Sequence, residues 1–262
     1  MKRLALIACL LLAACSREPD PLRVCADPNN LPFSNAAREG FENKLAELVA
    51  KDLGRELEYV WWAQRRGFVR NTLREGRCDV WPGVASSLET LATTRPYYRS
   101  TYVFVTRADS ALADIESFDD PRLKSAIVGV QMVGDDASNT PPAHALTRRG
   151  IRDNVRGYML YGDYAKPNPP AAFVEAVDRG DHEIAVVWGP LAGYFARKAE
   201  HPLRVTPVQP WLDGPQWPMV FDIAMGVRRE DAELKAELDA VLQRRRPEIA
   251  ALLAQYGVPT VR

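Results

Sequence analysis

The chain has 262 residues, of which 47% are hydrophobic and 26% are charged. These values are typical of a folded globular protein and argue against a disordered chain. Lys plus Arg and Asp plus Glu each number 34, so the net charge of zero argues against a nucleic-acid partner. The one long apolar run lies at the N-terminus, which excludes a polytopic membrane protein.

The N-terminus has the features of a bacterial export signal. A basic start, Met1-Lys2-Arg3, precedes an apolar run over residues 4–14 that is too short to cross a membrane and suits a signal peptide. Residues 12–15, Leu-Ala-Ala-Cys, resemble a lipobox. We therefore predict a signal peptide over 1–14, a lipid anchor on Cys15 as the only membrane contact, and a tether over 15–21. A plain signal with a chance cysteine is the alternative.

Two cysteines remain in the exported part of the chain. Cys25 lies in a predicted strand and Cys78 begins another. An even number of cysteines in an oxidising compartment favours a disulfide bond between them. Two buried free thiols are the alternative.

Predicted strands and helices alternate along the chain. Apolar residues at 41, 45, 48, 49 and 53 mark one helix face, and Gly54 ends that helix. The predicted strands cover residues 23–26, 57–62, 78–84, 102–106, 126–131, 183–188, 203–205 and 219–227. The predicted helices cover residues 41–53, 68–75, 141–149 (with Thr140 as N-cap), 171–178, 191–199 and 230–256, the last broken or kinked at Pro247.

This order predicts an α/β protein with two lobes, each a mixed, mostly parallel sheet flanked by helices. The polar, acidic stretch 107–120 suits a crossing between lobes. We expect a first lobe of residues 22–105 and 209–262, a second lobe of residues 106–208, and two hinge crossings between them.

The layout resembles a type II periplasmic solute-binding protein over residues 22–258. Five blocks resemble one subgroup, the binding proteins encoded beside quinoprotein (PQQ) methanol dehydrogenases, the MoxJ/XoxJ type. The blocks are RVCADPNNLPFSN, WWAQRRGFVRNTL, TTRPYYRSTYVFV, NVRGYMLYGDYAKPNPP and VVWGPLAGYFA. The resemblance implies a periplasmic protein that works with the dehydrogenase and its cytochrome c, and assists maturation or activation.

The ligand anchors of amino-acid-binding relatives are replaced in this sequence. Those relatives bind the ligand carboxylate with an Arg about seven residues after a strand-loop glycine, here Gly83, and that count arrives at Thr90. They bind the ammonium with an Asp at the end of a strand, where this chain has Trp188. We therefore expect no useful affinity for free amino acids, and a small, weakly charged solute stays a candidate ligand.

Aromatic and charged residues follow the predicted strands at the edge where open α/β sheets bind ligands. Trp61 and Trp62 alternate across a strand, so one of them is expected in the core, and Tyr97 either faces the cleft or packs the hinge. Arg65 and Arg66 form either an anion site or a solvated pair. The predicted cleft residues are Pro32, Phe33, Trp61, Arg65, Arg66, Phe68, Tyr98, Asp163, Tyr164 and Trp188.

Enzymatic patterns are missing from the sequence. We find no GxSxG, HExxH, P-loop or GxGxxG after a strand, and the three His are far apart. We therefore predict a non-catalytic protein without a metal or cofactor. Two alternatives stay open: a transporter-coupled solute receptor, and an enzyme that uses a cleft acid such as Asp163, since some dehydratases share this scaffold.

Overall fold

The computed structural model describes residues 19–132, 139–159 and 166–262, and within them strands and helices alternate. The strands are β1 (Leu22–Ala26), β2 (Asn29–Asn30), β3 (Ser34–Asn35), β4 (Leu57–Trp61), β5 (Trp81–Ala85), β6 (Ala92–Thr93), β7 (Tyr98–Arg107), β8 (Val128–Met132), β9 (Val155–Met159), β10 (Ile184–Trp188), β11 (Leu203–Pro207), β12 (Leu212–Asp213), β13 (Trp217–Pro218) and β14 (Val220–Val227). The helices are α1 (Phe41–Leu53), α2 (Phe68–Asn71), α3 (Pro141–Arg148), α4 (Ala172–Arg179), α5 (Gly189–Ala196), α6 (Ala232–Arg244) and α7 (Arg246–Gln255), with short 3-10 turns at Pro121–Lys124 and Pro169–Ala171. No helix in these ranges is long and apolar enough to cross a bilayer.

The first lobe is built around β1, which pairs in parallel with β4 and forms a parallel bridge from Val24 to Val80 just before β5. Strand β14 then runs antiparallel to both β5 and β7. Helix α1 packs its apolar face, including Phe41, Leu45 and Val49, into this lobe's core together with residues of α6 and α7. Its end at Gly54, with φ of 64°, is the left-handed closure that the sequence predicts.

The second lobe is a sheet between two apolar layers. Strand β8 pairs in parallel with β9 and β10, and β10 and β11 run antiparallel to β7. Phe104 of β7 faces the layer that includes α3, whereas Val103 and Val105 face the layer of α4 and α5. This alternation is the period of two that a strand imposes on its side chains. The fold is therefore the two-lobed, mixed α/β architecture expected from the sequence.

Strand β7 belongs to both lobes. Tyr98–Thr101 pair with residues 220–223 of β14, and residues 102–106 pair with residues 184–188 of β10. The partner of β7 thus changes between Thr101 and Tyr102. The boundaries at 105/106 and 208/209 stay predictions.

Several predicted elements differ in length from the observed ones. The predicted helix over 68–75 ends at Asn71, because Thr72 has non-helical dihedrals and its hydroxyl donates back to the Phe68 carbonyl at 2.7 Å. Strand β9 was missed because its side chains are mostly exposed, which leaves no apolar alternation to detect. The interruption expected at Pro247 is confirmed, since α6 ends before Arg245 and α7 begins at Arg246.

Cys25 and Cys78 form the disulfide bond that the sequence predicts, with their Cα atoms 5.5 Å apart. Both residues are fully buried, in a cluster with Phe68 and Leu73. Next to the bridge, Asp79 accepts hydrogen bonds from the Arg23 guanidinium, the shorter at 2.6 Å. The disulfide therefore joins β1 to the chain entering β5, two segments 53 residues apart in sequence.

We expect loss of the disulfide to lower the free energy of unfolding by about 2–5 kcal/mol, because a loop of this length loses less entropy on folding when it is already closed. The variant is Cys25→Ser with Cys78→Ser, measured by urea denaturation. Wild-type protein under strong reductant is the matched control and should unfold at the same urea concentration as the variant. An unchanged midpoint in both samples would contradict the prediction.

Candidate functional site

A cavity of about 280 Å³ lies between the lobes. It sits near the lower end of the range of about 300–1,000 Å³ found for ligand pockets, which suits a small molecule or a single side chain. Both lobes line it. The described lining residues are Asn30, Phe33, Glu42, Gln64, Gly83, Tyr98, Tyr102, Gln131, Thr140, Pro170, Trp188, Leu191, Phe221 and Ile223.

Three of the predicted cleft residues line this cavity: Phe33, Tyr98 and Trp188. Phe33 follows β2, Tyr98 begins β7, and Trp188 ends β10 directly before α5. Pro32 is buried beside the cavity, and its carbonyl accepts a hydrogen bond from the Phe41 amide at 2.8 Å. Asp163, Tyr164 and the lipobox Cys15 lie outside the described residues.

The remaining predicted residues lie away from the cavity. Phe68 is 4% exposed and packs at 5.0 Å from Trp81 in the core around the disulfide, so the structure corrects its placement from cleft to core. Trp61 stacks on Tyr59 at 4.6 Å between ring centroids, and it is not among the lining residues of the cavity. The physical reason is that removing the apolar surface of Phe68 and Trp61 from water, by packing within the first lobe, is favourable in free energy.

Arg65 and Arg66 are both exposed. Arg65 lines a second groove with Phe68 and Trp81, which adjoins the cavity at Gln64, and Arg66 is not among the described lining residues of the cavity. Thr90 lines the same second groove. Counting seven residues from Gly83 therefore arrives at a residue outside the described lining of the cavity.

An aromatic cluster forms one wall of the cavity. Tyr102 and Trp188 are directly paired across β7 and β10, with ring centroids 5.3 Å apart and an interplanar angle of 65°. Phe221 of β14 approaches Trp188 at 5.8 Å and Tyr102 at 6.4 Å, also edge to face. Sequence reasoning missed Tyr102 and Phe221. Tyr102 is four residues after Tyr98 on the same strand, so the period of two was a usable signal.

Tyr97 packs against the first lobe's core and is not among the described lining residues of the cavity. Its hydroxyl donates to the Pro82 carbonyl at 3.0 Å. Its packing at the hinge stays a prediction.

Hydrogen bonds hold the polar part of the first lobe's wall. Asp27 is buried and accepts from the backbone amides of Asn29 at 2.8 Å and Gln64 at 2.6 Å. Burial raises the pKa of Asp27 above its ordinary value, and these two amides lower it in part. The Asn30 amide then donates to the Gln64 side chain at 2.9 Å. Asp27 thus fixes the two loops that present Asn30 and Gln64 to the cavity.

From the second lobe, Gln131 and Thr140 contribute polar lining. Thr140 takes the N-cap position of α3, as the sequence predicts, but its hydroxyl donates to the Gln131 carbonyl at 2.8 Å instead of capping the helix. This hydrogen bond ties the end of β8 to the start of α3.

The lobes contact each other beside the cavity. The side-chain NH₂ group of Asn29 donates to the Lys166 carbonyl at 2.8 Å. The side-chain oxygen of Asn29 accepts from the backbone N–H of Asn168 at 3.3 Å. Leu31, from the first lobe's cleft loop, packs into the core of the second lobe. These contacts therefore join the two lobes directly beside the cavity.

Glu42 is the one acidic residue in the described lining of the cavity. Its side chain comes from the first turn of α1 and is 6% exposed, and no hydrogen bond or ion pair to its carboxyl group is present within the described residues. A Cβ atom on Gly83 would overlap Glu42 Oε1, so the carboxyl group in this position occupies the space that a side chain at 83 would take. Burial raises the pKa of Glu42 to about 8.

Glu42 could have been found in the sequence. It precedes Leu45 and Val49 by three and seven residues, which places it on the buried face of α1. An acidic residue on a buried helix face is rare unless it is paired or functional.

No group of three or more His, Cys, Asp or Glu side chains within the described ranges is arranged to hold a metal ion. The cavity is therefore an aromatic and amide-lined site with one buried carboxyl group.

Comparison with known proteins identifies the family. The model for bacterial extracellular solute-binding proteins, family 3, matches residues 22–259. The chain belongs to this family. Within it, the chain is a type II periplasmic binding protein of the MoxJ/XoxJ type, as the sequence blocks indicate.

Three relatives show how far the likeness of this family 3 protein extends. Protein MoxJ of Methylorubrum extorquens strain AM1 is 38% identical over 263 residues, which cover 95% of this chain and 85% of the relative. The crystal structure of the periplasmic binding protein XoxJ from Methylobacterium extorquens AM1 has a TM-score of 0.74 at 36% identity, covering 92% of this chain and 99% of that one. The crystal structure of MxaJ from Methlophaga aminisulfidivorans MPT has a TM-score of 0.79 at 30% identity, covering 92% and 100%.

The raised pKa of Glu42 predicts a pH-dependent stability. Between the ordinary pKa of 4.5 and about 8, the unfolded chain has released this proton while the folded chain still holds it. The contribution of Glu42 to the free energy of unfolding is therefore fully present below pH 4.5 and falls as the pH rises to about 8. The total loss is at most about 5 kcal/mol, since a tenfold change in proton affinity is worth about 1.4 kcal/mol.

Urea denaturation from pH 5 to 9 measures this dependence. Glu42→Gln should remove the fall between about pH 5 and 8 and leave the variant more stable than wild type at pH 8. The exposed Glu58→Gln is the control and should follow the wild-type curve. Parallel curves for wild type and Glu42→Gln would refute the prediction.

Proposed function

We propose that this protein assists a PQQ-dependent methanol or alcohol dehydrogenase in maturation, activation or assembly, and that its interlobe cavity is the working site. The observation that supports this most directly is the 38% identity to protein MoxJ across 95% of the chain. The five sequence blocks of the MoxJ/XoxJ type supply the link to a PQQ dehydrogenase. The dehydrogenase is the first partner, and its cytochrome c is the second.

The lining of the cavity supports a role other than amino-acid uptake. None of its described residues is Lys, Arg or His, and Trp188 stands where the family places an ammonium-binding Asp. An amino-acid carboxylate enclosed here without a charged partner would cost several kcal/mol. The usual ligands of amino-acid-binding relatives are therefore disfavoured.

Aromatic residues around the cleft support contact with a protein. Tyr, Trp and Arg side chains dominate the binding energy of protein interfaces, and Phe33, Tyr98 and Trp188 meet at the cavity with exposed Arg66 on the same lobe. A cavity of about 280 Å³ admits one side chain of a partner rather than a folded segment. The role is non-catalytic.

The test measures dehydrogenase activity in cells that grow on an alcohol and lack this gene. Activity in periplasmic extracts should fall on deletion and return with the wild-type gene, and tagged protein should retain the apo dehydrogenase in a pull-down. Trp188→Ala should fail to restore activity, because it removes the centre of the aromatic wall.

Trp62→Ala is the matched control. Trp62 packs against the disulfide cluster and under the Arg77 guanidinium, away from the cavity, so it should restore activity at equal protein level by immunoblot. If deletion leaves the dehydrogenase fully active and no pull-down occurs, the proposal is wrong.

We also propose a periplasmic location with a lipid anchor on Cys15, supported by the lipobox-like sequence at residues 12–15. Wild-type protein should fractionate with membranes and contain an acyl-modified N-terminal peptide by mass spectrometry. Cys15→Ser should move it to the soluble fraction. Soluble wild-type protein without acyl mass would exclude the anchor.

A second candidate is a transporter-coupled receptor for a small, weakly charged solute that is not an amino acid. The cavity between the lobes, and the hydrogen bonds by which Asn29 joins them, favour this receptor function. Loss of solute uptake on gene deletion, together with normal dehydrogenase activity, would select this function.

A further inference from the structure

Glu42 is a buried acid that the family's usual chemistry leaves unexplained. Buried polar groups in proteins are normally hydrogen-bonded, yet no hydrogen bond or ion pair to this carboxyl group exists within the described residues. Gly83 gives up its side-chain space to this group. A costly buried acid that faces a cavity is explained if a ligand completes its interactions.

The charge around the cavity selects the sign of that ligand. The described lining includes one acid and no Lys, Arg or His. Among the described lining residues, an anionic group would meet no compensating positive side chain, whereas a cation would meet Glu42.

Aromatic side chains reinforce the preference for a cation. Phe33, Tyr98, Tyr102, Trp188 and Phe221 all line the cavity. Aromatic rings attract ammonium groups through their quadrupole, and several rings together form the usual recognition site for alkylated ammonium ions. The volume of about 280 Å³ suits a small ligand.

We propose that the cavity binds a small alkylated ammonium ion without a carboxylate, paired with Glu42 and enclosed by the aromatic wall. This inference concerns the ligand of the cavity and holds whether or not a dehydrogenase is the partner. The same chemistry could be presented by a free amine or by a lysine side chain, and the experiment separates these two sources.

The titration of Glu42 gives the proposal a measurable signature. The titratable groups that act on or near its carboxyl are the phenols of Tyr59 on β4, of Tyr97 directly before β7 and of Tyr98 at the start of β7. Burial raises the pKa of each phenol above its ordinary value of 10, so all three stay neutral below pH 9. At pH 7 the empty site holds a proton on Glu42, whose pKa is about 8. Binding of a cation should release about one proton.

Isothermal titration calorimetry with three probes of nearly the same shape tests the charge. The probes are choline, its neutral isostere 3,3-dimethylbutan-1-ol, and glycine betaine, which adds a carboxylate. Choline should bind roughly tenfold or more tightly than either of the others. Titration in two buffers of different ionisation enthalpy should show about one proton released per choline at pH 7. Choline affinity should rise with pH and level off above about pH 8.

Two variants test whether the carboxyl group of Glu42 is what binds choline. Glu42→Gln should weaken choline roughly tenfold or more, abolish proton release and leave the neutral isostere unaffected. Glu58→Gln, on the exposed face of β4, should bind choline as wild type does. Nα-acetyl-lysine amide identifies the source: tighter binding than choline assigns the site to a lysine of a partner chain, and weaker binding assigns it to a free amine.

Two results would overturn the proposal. One is tighter binding of the neutral isostere than of choline with no proton release, which would make protonated Glu42 a hydrogen-bond donor to an uncharged ligand. The other is undetectable binding of choline and of the lysine amide at millimolar concentration by wild-type protein that is folded by circular dichroism. If gene deletion leaves the dehydrogenase fully active while the wild-type protein still binds choline, only the proposed function is refuted.

Discussion

The fold depends on strand β7 being shared by two lobes. Its first four residues form hydrogen bonds with β14 and its next five with β10, so one continuous backbone joins two separate cores. The period of two along this strand places Tyr98 and Tyr102 on the same side of the chain, where both line the cavity. The cleft is therefore formed at the point where one strand changes partners, and its aromatic wall is fixed by backbone pairing rather than by a mobile loop.

The electrostatics of the cavity follow from the burial of Glu42. Glu42 lies in the first turn of α1, and the same helix buries Phe41 and Leu45 in the first lobe's core, so the packing of the helix places the carboxyl at the cavity. Gly83 lies against it and leaves the space it occupies. Removal from water raises the pKa of Glu42, because the charged form loses its hydration. Among the described residues that line the cavity, Glu42 is the one acid.

The assistance proposed for a dehydrogenase and the ammonium site proposed for the cavity are compatible. A cavity of about 280 Å³ between two lobes can close around one cationic group, whether it arrives as a free amine or on a partner's lysine. The cross-lobe hydrogen bonds of Asn29 lie where the two lobes meet.

The sequence by itself determined the order of most strands and helices, the disulfide, the two-lobed fold class and three cavity residues, Phe33, Tyr98 and Trp188. These follow from local patterns: apolar periodicity, glycine at helix ends, and residues that end strands. Only the tertiary structure decided that Phe68 belongs to the core and that Thr90 does not line the cavity. It also decided that Glu42, Tyr102 and Phe221, which come from three different elements, line the same cavity. The reason is physical: counting along a chain gives distance in sequence, whereas the space that Gly83 leaves for a carboxyl from another element exists only once helix α1 has packed against β5.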